Sequence, residues 1–318
     1  MSPSPIDVGE RFLRTLHDPG VRSRMHTLHS MCDPNATWWV DTGKDRAAGA
    51  LGVNPGSERP WPLHGTMRVD EKFDHIKSHA GDLFPTGVAL KIASGSFADD
   101  TVAILEGEGF GYSKHRRVYN NRYAFVFEVH DGTITAIREY MDTLHAQDIF
   151  GYDRASNSTV AQTETPEIAT IRNDTEELMA RAWMAFSCSD IDAFSSCFSE
   201  SATWWTDSGV ERVRGRFDLQ HTAADGTPFH GVVPINEKVD YIRQRMGSSY
   251  SGVAINVMPF RFISGKGRVA TEAVGNAVLS NGRIYQNRYL LIADIVNSRI
   301  SKLREYCDTL HVADVTGA

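Results

Sequence analysis

The feature that most constrains this chain is that it is written twice. Trp38 and Trp204 stand 166 positions apart, and the same interval separates His64 from His230, Tyr119 from Tyr285 and Asp142 from Asp308. The phrase "ATWWVDTG" from Ala36 is answered by "ATWWTDSG" from Ala202, and "LHGTMRVDEKFDHI" by "FHGVVPINEKVDYI". Further on, "YNNRYAFVFEVHDGTITAIREYMDTLHAQDI" is answered by "YQNRYLLIADIVNSRISKLREYCDTLHVADV", after a one-residue adjustment between the blocks. A period of this length is a domain, far above the roughly 20 to 50 residues of stacked repeats. The expected division is a first domain over 1–150, a polar linker over 151–167 ("GYDRASNSTVAQTETPE") and a second domain over 168–318.

Each copy opens with apolar residues at helical spacing, as in Phe12, Leu13 and Leu16 or Leu178, Met179 and Ala182, followed by a short helix around 71–79 or 237–245. Strands come next. Tyr119, Asn121, Tyr123, Phe125 and Phe127 alternate with Asn120, Arg122, Ala124, Val126 and Glu128, and "HDGT" turns the chain into a last strand ending at "REYMDT". Helices first and an antiparallel run afterwards define an α+β class.

Composition narrows the function. Hydrophobic residues make up 41% of the 318, enough for two ordinary cores, and the net charge of -7 with no basic run argues against nucleic acid and anionic lipid as partners. No charged-then-apolar leader opens the sequence and no apolar stretch is long enough for a membrane span, so a cytoplasmic location is expected. Cys32, Cys188, Cys197 and Cys307 show no CxxC spacing and do not match between copies, which argues against a disulfide framework and a metal knot; Cys307 replaces Met141 and reads as a small buried hydrophobe. No histidine or carboxylate spacing suits a metal, "GEGFGY" lies in a strand pattern and not at a nucleotide loop, and no cofactor is expected.

Helices, then "ATWW", then an "HG" loop, then "YNNRYAFVFEV.DG.I..IREYMDT" together resemble the SnoaL-like branch of the nuclear transport factor 2 (NTF2) superfamily, in both halves. The resemblance implies two tandem cone-shaped NTF2-like α+β barrels, each wrapping a sheet around helices and an apolar pocket, arranged as an intrachain pseudo-dimer with further homo-oligomerisation open. It includes ketosteroid isomerases, polyketide cyclases, an epoxide hydrolase and binding modules, so the fold alone selects no activity. The expected activity is a cofactor-independent isomerase, cyclase or lyase acting on a small apolar carbonyl-bearing metabolite. The alternatives are an epoxide hydrolase or cyclase of the tandem polyether type, and a non-catalytic pocket protein.

Several residues are candidates for the chemistry. Trp39 shares a strand face with Asp41, and Trp205 with Asp207, so an indole would desolvate the carboxylate and make it a better base; the alternative is an Asp that opens a turn before Thr42-Gly43 or Ser208-Gly209. The resemblance to ketosteroid isomerases places a general base near Asp41 and Asp207. Glu71 and Glu237, thirty positions on, would suit a shared carboxyl pair or a solvated helix face. The SnoaL-like resemblance gives Asp142 and Asp308 the acid or base role, with Tyr140 and Tyr306 beside them; an Arg-Asp pair at a sheet edge is the other reading. The epoxide hydrolase pattern needs an Arg-X-Asp that is replaced here by Glu106-X-Glu108 and by Glu272-X-Val274, leaving Glu106 and Glu272 as acids. His64 and His230 precede a glycine in a loop, where an imidazole would shuttle protons or serve structure, and His145 and His311 follow the last strand, outside the pocket. Tyr119 and Asn121, with Tyr285 and Asn287, complete the substrate-binding candidates on the long strand.

Overall fold

The computed structural model describes residues 3–17, 21–40, 65–150, 167–206, 231–248 and 255–316. The chain separates into two compact units, Met1–Ser158 and Thr159–Ala318. In the first, helices α1 (Pro5–Leu16) and α2 (Val21–Ser30) lead into β1 (Cys32–Val40), then β2 (Gly65–Arg68) and α3 (Val69–His75), which continues through a π-turn at Ile76–Ala80. Strands β3 (Ala89–Ile92), β4 (Phe97–Ala98), β5 (Val102–Tyr112), β6 (Val118–Tyr119), β7 (Arg122–His130) and β8 (Thr133–Met141) follow, and α4 (Thr143–Phe150) closes the unit.

The second unit repeats the plan with α5 (Asp174–Ser187), α6 (Ile191–Ser196), β9 (Phe198–Thr206), β10 (Gly231–Pro234), α7 (Ile235–Ser248), β11 (Asn256–Gly265), β12 (Arg268–Val278), β13 (Ile284–Val296), β14 (Arg299–Cys307) and α8 (Thr309–Thr316). The sheet order is β2-β1-β8-β7-β5-β3 in one unit and β10-β9-β14-β13-β12-β11 in the other. The first and last long strands, β1 with β8 and β9 with β14, pair in parallel, and the other pairings are antiparallel.

Local chemistry sets these elements. Ser4 caps α1 by accepting from the Asp7 N–H, with Pro5 in the first turn where its missing donor costs nothing. Val8, Gly9, Phe12 and Leu13 form its buried stripe. A Cβ at Gly9 would lie 2.9 Å from Leu105 Cδ1 and 3.0 Å from Phe127 Cδ2, so glycine lets the helix lie directly on β5 and β7. Asn173 caps α5 by accepting from the N–H groups of Thr175 and Glu176. The β7–β8 turn has Asp131 and Gly132 at φ 50° and 77°, and its counterpart uses Asn297 and Ser298 at 51° and 57°; both have the two positive φ values of a type I′ hairpin turn.

Each unit has its own core. In the first, Phe12 meets Trp38 at 5.7 Å, Phe73 at 6.1 Å and Phe127 at 5.7 Å between ring centres. In the second, Trp183 takes that central place, 6.0 Å from Trp204 and 5.7 Å from Phe194. Cys307 is buried, in keeping with its reading as a small hydrophobe. Among the described residues, no helix is long and apolar enough to cross a membrane.

Candidate functional site

Both tryptophans of the repeated phrase are buried, and they face opposite ways. Trp38 and Val40 join the core against the helices, with Tyr123, Phe125, Phe127, Ile137 and Met141. Trp39 lies on the other face of the sheet and packs on Tyr140 at 5.1 Å; Trp205 and Tyr306 repeat the pair at 5.1 Å. The inward face of the last strand therefore carries Glu139 and Glu305, between the Arg and Tyr that sequence reasoning had singled out.

Glu139 is the centre of a buried polar group. Its Oε2 accepts from Trp38 Nε1 at 2.8 Å and from Lys72 Nζ at 3.1 Å, in an ion pair whose side chains are 4% and 10% exposed. Lys72 Nζ also stands 4.8 Å above the Trp38 ring. In the second unit Glu305 Oε2 accepts from Trp204 Nε1 at 2.8 Å and from Thr206 Oγ1 at 3.0 Å, while Lys238 Nζ donates to Thr206 Oγ1 at 3.4 Å. Burial draws the Lys238 amine below its usual range, with Glu305 and Cys307 pulling the other way.

A second polar cluster lies along the same inward face. The hydroxyls of Tyr119 and Tyr123 are hydrogen-bonded to each other, and so are those of Tyr285 and Tyr289. Asn121 Nδ2 donates to the Tyr119 hydroxyl at 3.4 Å, and Asn287 Nδ2 to that of Tyr285 at 3.2 Å. Burial holds the Tyr289 phenol well above its ordinary pKa, and the nearby Tyr285, Glu305 and Cys307 push it further the same way. Glu305 thus influences both Lys238 and Tyr289, joining the two clusters of that interior. Gly109 and Gly275 make room for the phenol rings: a Cβ would come within 2.9 Å of Tyr123 Cε2 and 2.6 Å of Tyr289 Cε2.

The remaining candidates take varied places. Asp142 and Asp308 are buried just beyond the last strand, where each Oδ1 accepts the N–H of the histidine three residues on, His145 at 3.0 Å and His311 at 3.1 Å. They cap α4 and α8. Asn121 braces that corner by exchanging hydrogen bonds with the Asp142 backbone, and Asn287 does so with Asp308. His145 and His311 are buried, and their Nε2 atoms accept the N–H of Asn120 and Gln286. Each packs against the first tyrosine of its unit, at 5.5 Å and 5.6 Å between ring centres.

Glu106 and Glu272 are buried on β5 and β12, on the face opposite the core clusters. Glu71 is exposed and accepts the Arg68 N–H in a capping box, and Glu237 is exposed on α7. Arg138 pairs with Glu128 and Arg304 with Asp294, both along the sheet. Asp41, Asp207, His64 and His230 lie outside the described residues. Among the described residues no group of three His, Cys, Asp or Glu side chains is placed to hold a metal.

Sequence reasoning missed Lys72, Lys238, Glu139 and Glu305. The signal was present: Lys is retained in "DEK" and "NEK", and Glu in both "REY" phrases.

Helices entering a mixed sheet with its first and last long strands parallel, around a buried polar interior, define the class of each unit as α+β. No protein-family model and no curated protein matches the chain. Solved structures do, one half at a time. An NTF2-like protein of unknown function from Burkholderia pseudomallei is 14% identical, covering 46% of this chain and 100% of its own (TM-score 0.38). A Jannaschia protein proposed to be a SnoaL-like polyketide cyclase is 11% identical over 47% of this chain and 95% of its own (TM-score 0.34). A Catenulispora acidiphila protein with a ketosteroid isomerase-like fold, in complex with trimethylamine, is 13% identical over 44% and 92% (TM-score 0.33). These likenesses are of fold.

Proposed function

We propose that the chain is a cofactor-independent acid–base enzyme for a small, apolar, carbonyl-bearing metabolite, catalysing an isomerisation, cyclisation or elimination. The observation that carries this reading is the matched set of buried ionisable and hydroxyl groups, Lys72, Glu139 and the Tyr119–Tyr123 pair against Lys238, Glu305 and the Tyr285–Tyr289 pair. Such groups are costly to bury in an aromatic core, and a pocket that only holds an apolar ligand gains little from them.

Their chemistry is complementary. In this reading Tyr285, which accepts from Asn287 Nδ2, donates its hydroxyl proton to Tyr289, and the Tyr289 O–H serves a ligand oxygen. A phenol held protonated by burial suits a carbonyl oxygen that gains charge as an enolate forms. Glu305 or Glu139 takes the proton from the adjacent carbon. Asp41, Asp207, His64 and His230 remain proposed participants from the segments that follow β1 and β9.

The test is α-proton exchange in D2O, followed by NMR across a panel of apolar ketones, enones and β-keto esters. Wild type is expected to exchange at least one of them, with a loss of about 100-fold or more in the Glu139→Gln/Glu305→Gln double variant. Buffer-rate exchange of every compound that binds would sink the enzymatic reading in favour of a binding protein.

A further inference from the structure

The two interiors are copies of one design, and a difference between them lies beside the lysine. Val40 of the first unit is Thr206 in the second. Lys72 Nζ donates straight to Glu139 Oε2 at 3.1 Å. In the second unit the Thr206 hydroxyl donates to Glu305 Oε2 at 3.0 Å and accepts from Lys238 Nζ at 3.4 Å, forming an amine–hydroxyl–carboxylate relay. Lys238 lies inside aromatic walls, 4.9 Å from the Trp204 ring centre and 5.9 Å from that of Tyr241, which stands where the first unit has His75.

Its charge is set by Glu305 and Cys307 on β14, by Tyr241 on its own helix and by the polar and aromatic edge of β9. Burial outweighs the carboxylate and thiol and draws the amine below its usual range. A desolvated amine with a proton path to a carboxylate is the arrangement in which lysine acts as a nucleophile toward carbonyl carbon.

Resting on the carbonyl reading above, we infer that Lys238 condenses with an aldehyde or ketone ligand to form an iminium, and that the first unit, with Val40 beside Lys72, does not carry this step. The nitrogen lone pair attacks the carbonyl carbon and the π pair of the C=O bond moves to oxygen. A proton leaves nitrogen along Thr206 to Glu305, which returns it to the carbinolamine oxygen, and a second proton from solvent lets that oxygen depart as water, leaving Glu305 ionised. Amine, carbonyl and one proton thus become iminium and water; hydrolysis returns the free amine. The iminium also acidifies the adjacent C–H, on which Glu305 acts as base.

The experiment uses the full chain with propanal and sodium cyanoborohydride at pH 7, read by peptide mass spectrometry. Lys238 is expected to acquire the N-propyl group at least tenfold faster than Lys72 and than the exposed Lys266 and Lys302. Thr206→Val copies the first unit's residue at nearly constant volume and is expected to slow Lys238 at least tenfold with the circular dichroism spectrum unchanged. Val40→Thr is expected to accelerate Lys72. A wild-type Lys238 no faster than Lys266, or a folded Thr206→Val variant labelled at the wild-type rate, would overturn the inference. Proton exchange without a Lys238 adduct would defeat the inference and leave the acid–base reading standing; an adduct without exchange of any bound carbonyl compound would do the reverse.

Discussion

Lys72→Met tests whether the buried ion pair is an energetic unit. The substitution keeps most of the side-chain volume and leaves Glu139 with the Trp38 N–H as its remaining donor among the described contacts. Removing one partner of a buried pair costs about 3–5 kcal/mol, because the other charge stays behind without compensation. At about 1.4 kcal/mol per factor of ten, amide exchange in β8 under native conditions should accelerate by roughly 140- to 4,000-fold where it proceeds through opening of the unit. Hydrogen exchange with peptide-level mass spectrometry reads the two units separately, so β14 serves as the internal control. Lys238→Met should cost less by about 1.5–3 kcal/mol, the range for a hydrogen bond to a charged group, since Glu305 keeps donors from both Trp204 and Thr206. The double variant Lys72→Met/Glu139→Gln should recover most of the loss, because it removes the uncompensated charge while the amide oxygen still accepts from Trp38 Nε1. Equal exchange in Lys72→Met and wild type, or a double variant as unstable as the single one, would refute the coupling.

Gly275→Ala should destabilise the second unit more than Gly109→Ala does the first. The new Cβ meets Tyr289 Cε2 at 2.6 Å and Ile255 Cγ2 at 3.1 Å, against 2.9 Å to Tyr123 Cε2 and 3.4 Å to Val88 Cγ1, and overpacking of this kind costs about 1–3 kcal/mol by urea denaturation. Glu176 is fully buried; burial raises its pKa, but bonds from Arg172 and Ser264 outweigh this and leave it below its usual value. The stabilisation this gives is complete above the unfolded carboxylate range near 4.5 and fades as pH falls through the lowered folded value, so Glu176→Gln should flatten the acid limb of the second unit's stability profile.

The duplication, the α+β order and the hairpin turn were legible because each depends on local pattern: a fixed offset, a change of period from helix to strand, and Asp-Gly between alternating runs. The choice of inward face was not. Period two divides a strand into two faces, but Trp38 and Trp39 are both buried, as are Glu139 and Tyr140, so hydrophobicity does not say which set meets the helices. The Lys72–Glu139 contact joins residues 67 positions apart and exists only once α3 lies against the sheet. Retention of the same Lys and Glu in the second copy was a usable clue, since a buried charge kept through divergence requires its partner to be kept as well.

Asp142 and Asp308 are where the inherited expectation and the observed geometry give opposite forecasts. As helix caps they need an acceptor oxygen at Oδ1, which asparagine supplies and alanine does not. Asp142→Asn should therefore leave stability within about 0.5 kcal/mol of wild type, while Asp142→Ala should cost about 0.5–2 kcal/mol, with the same ordering at Asp308. As acids or bases they need a titrating carboxyl, and Asn would then abolish turnover while sparing the fold. Measuring stability and α-proton exchange on the same four variants separates the roles. A cap predicts that exchange follows stability, so that only the Ala variants lose it. Asn variants with wild-type stability and a hundredfold loss of exchange would move these aspartates into the chemistry and displace the glutamates proposed above.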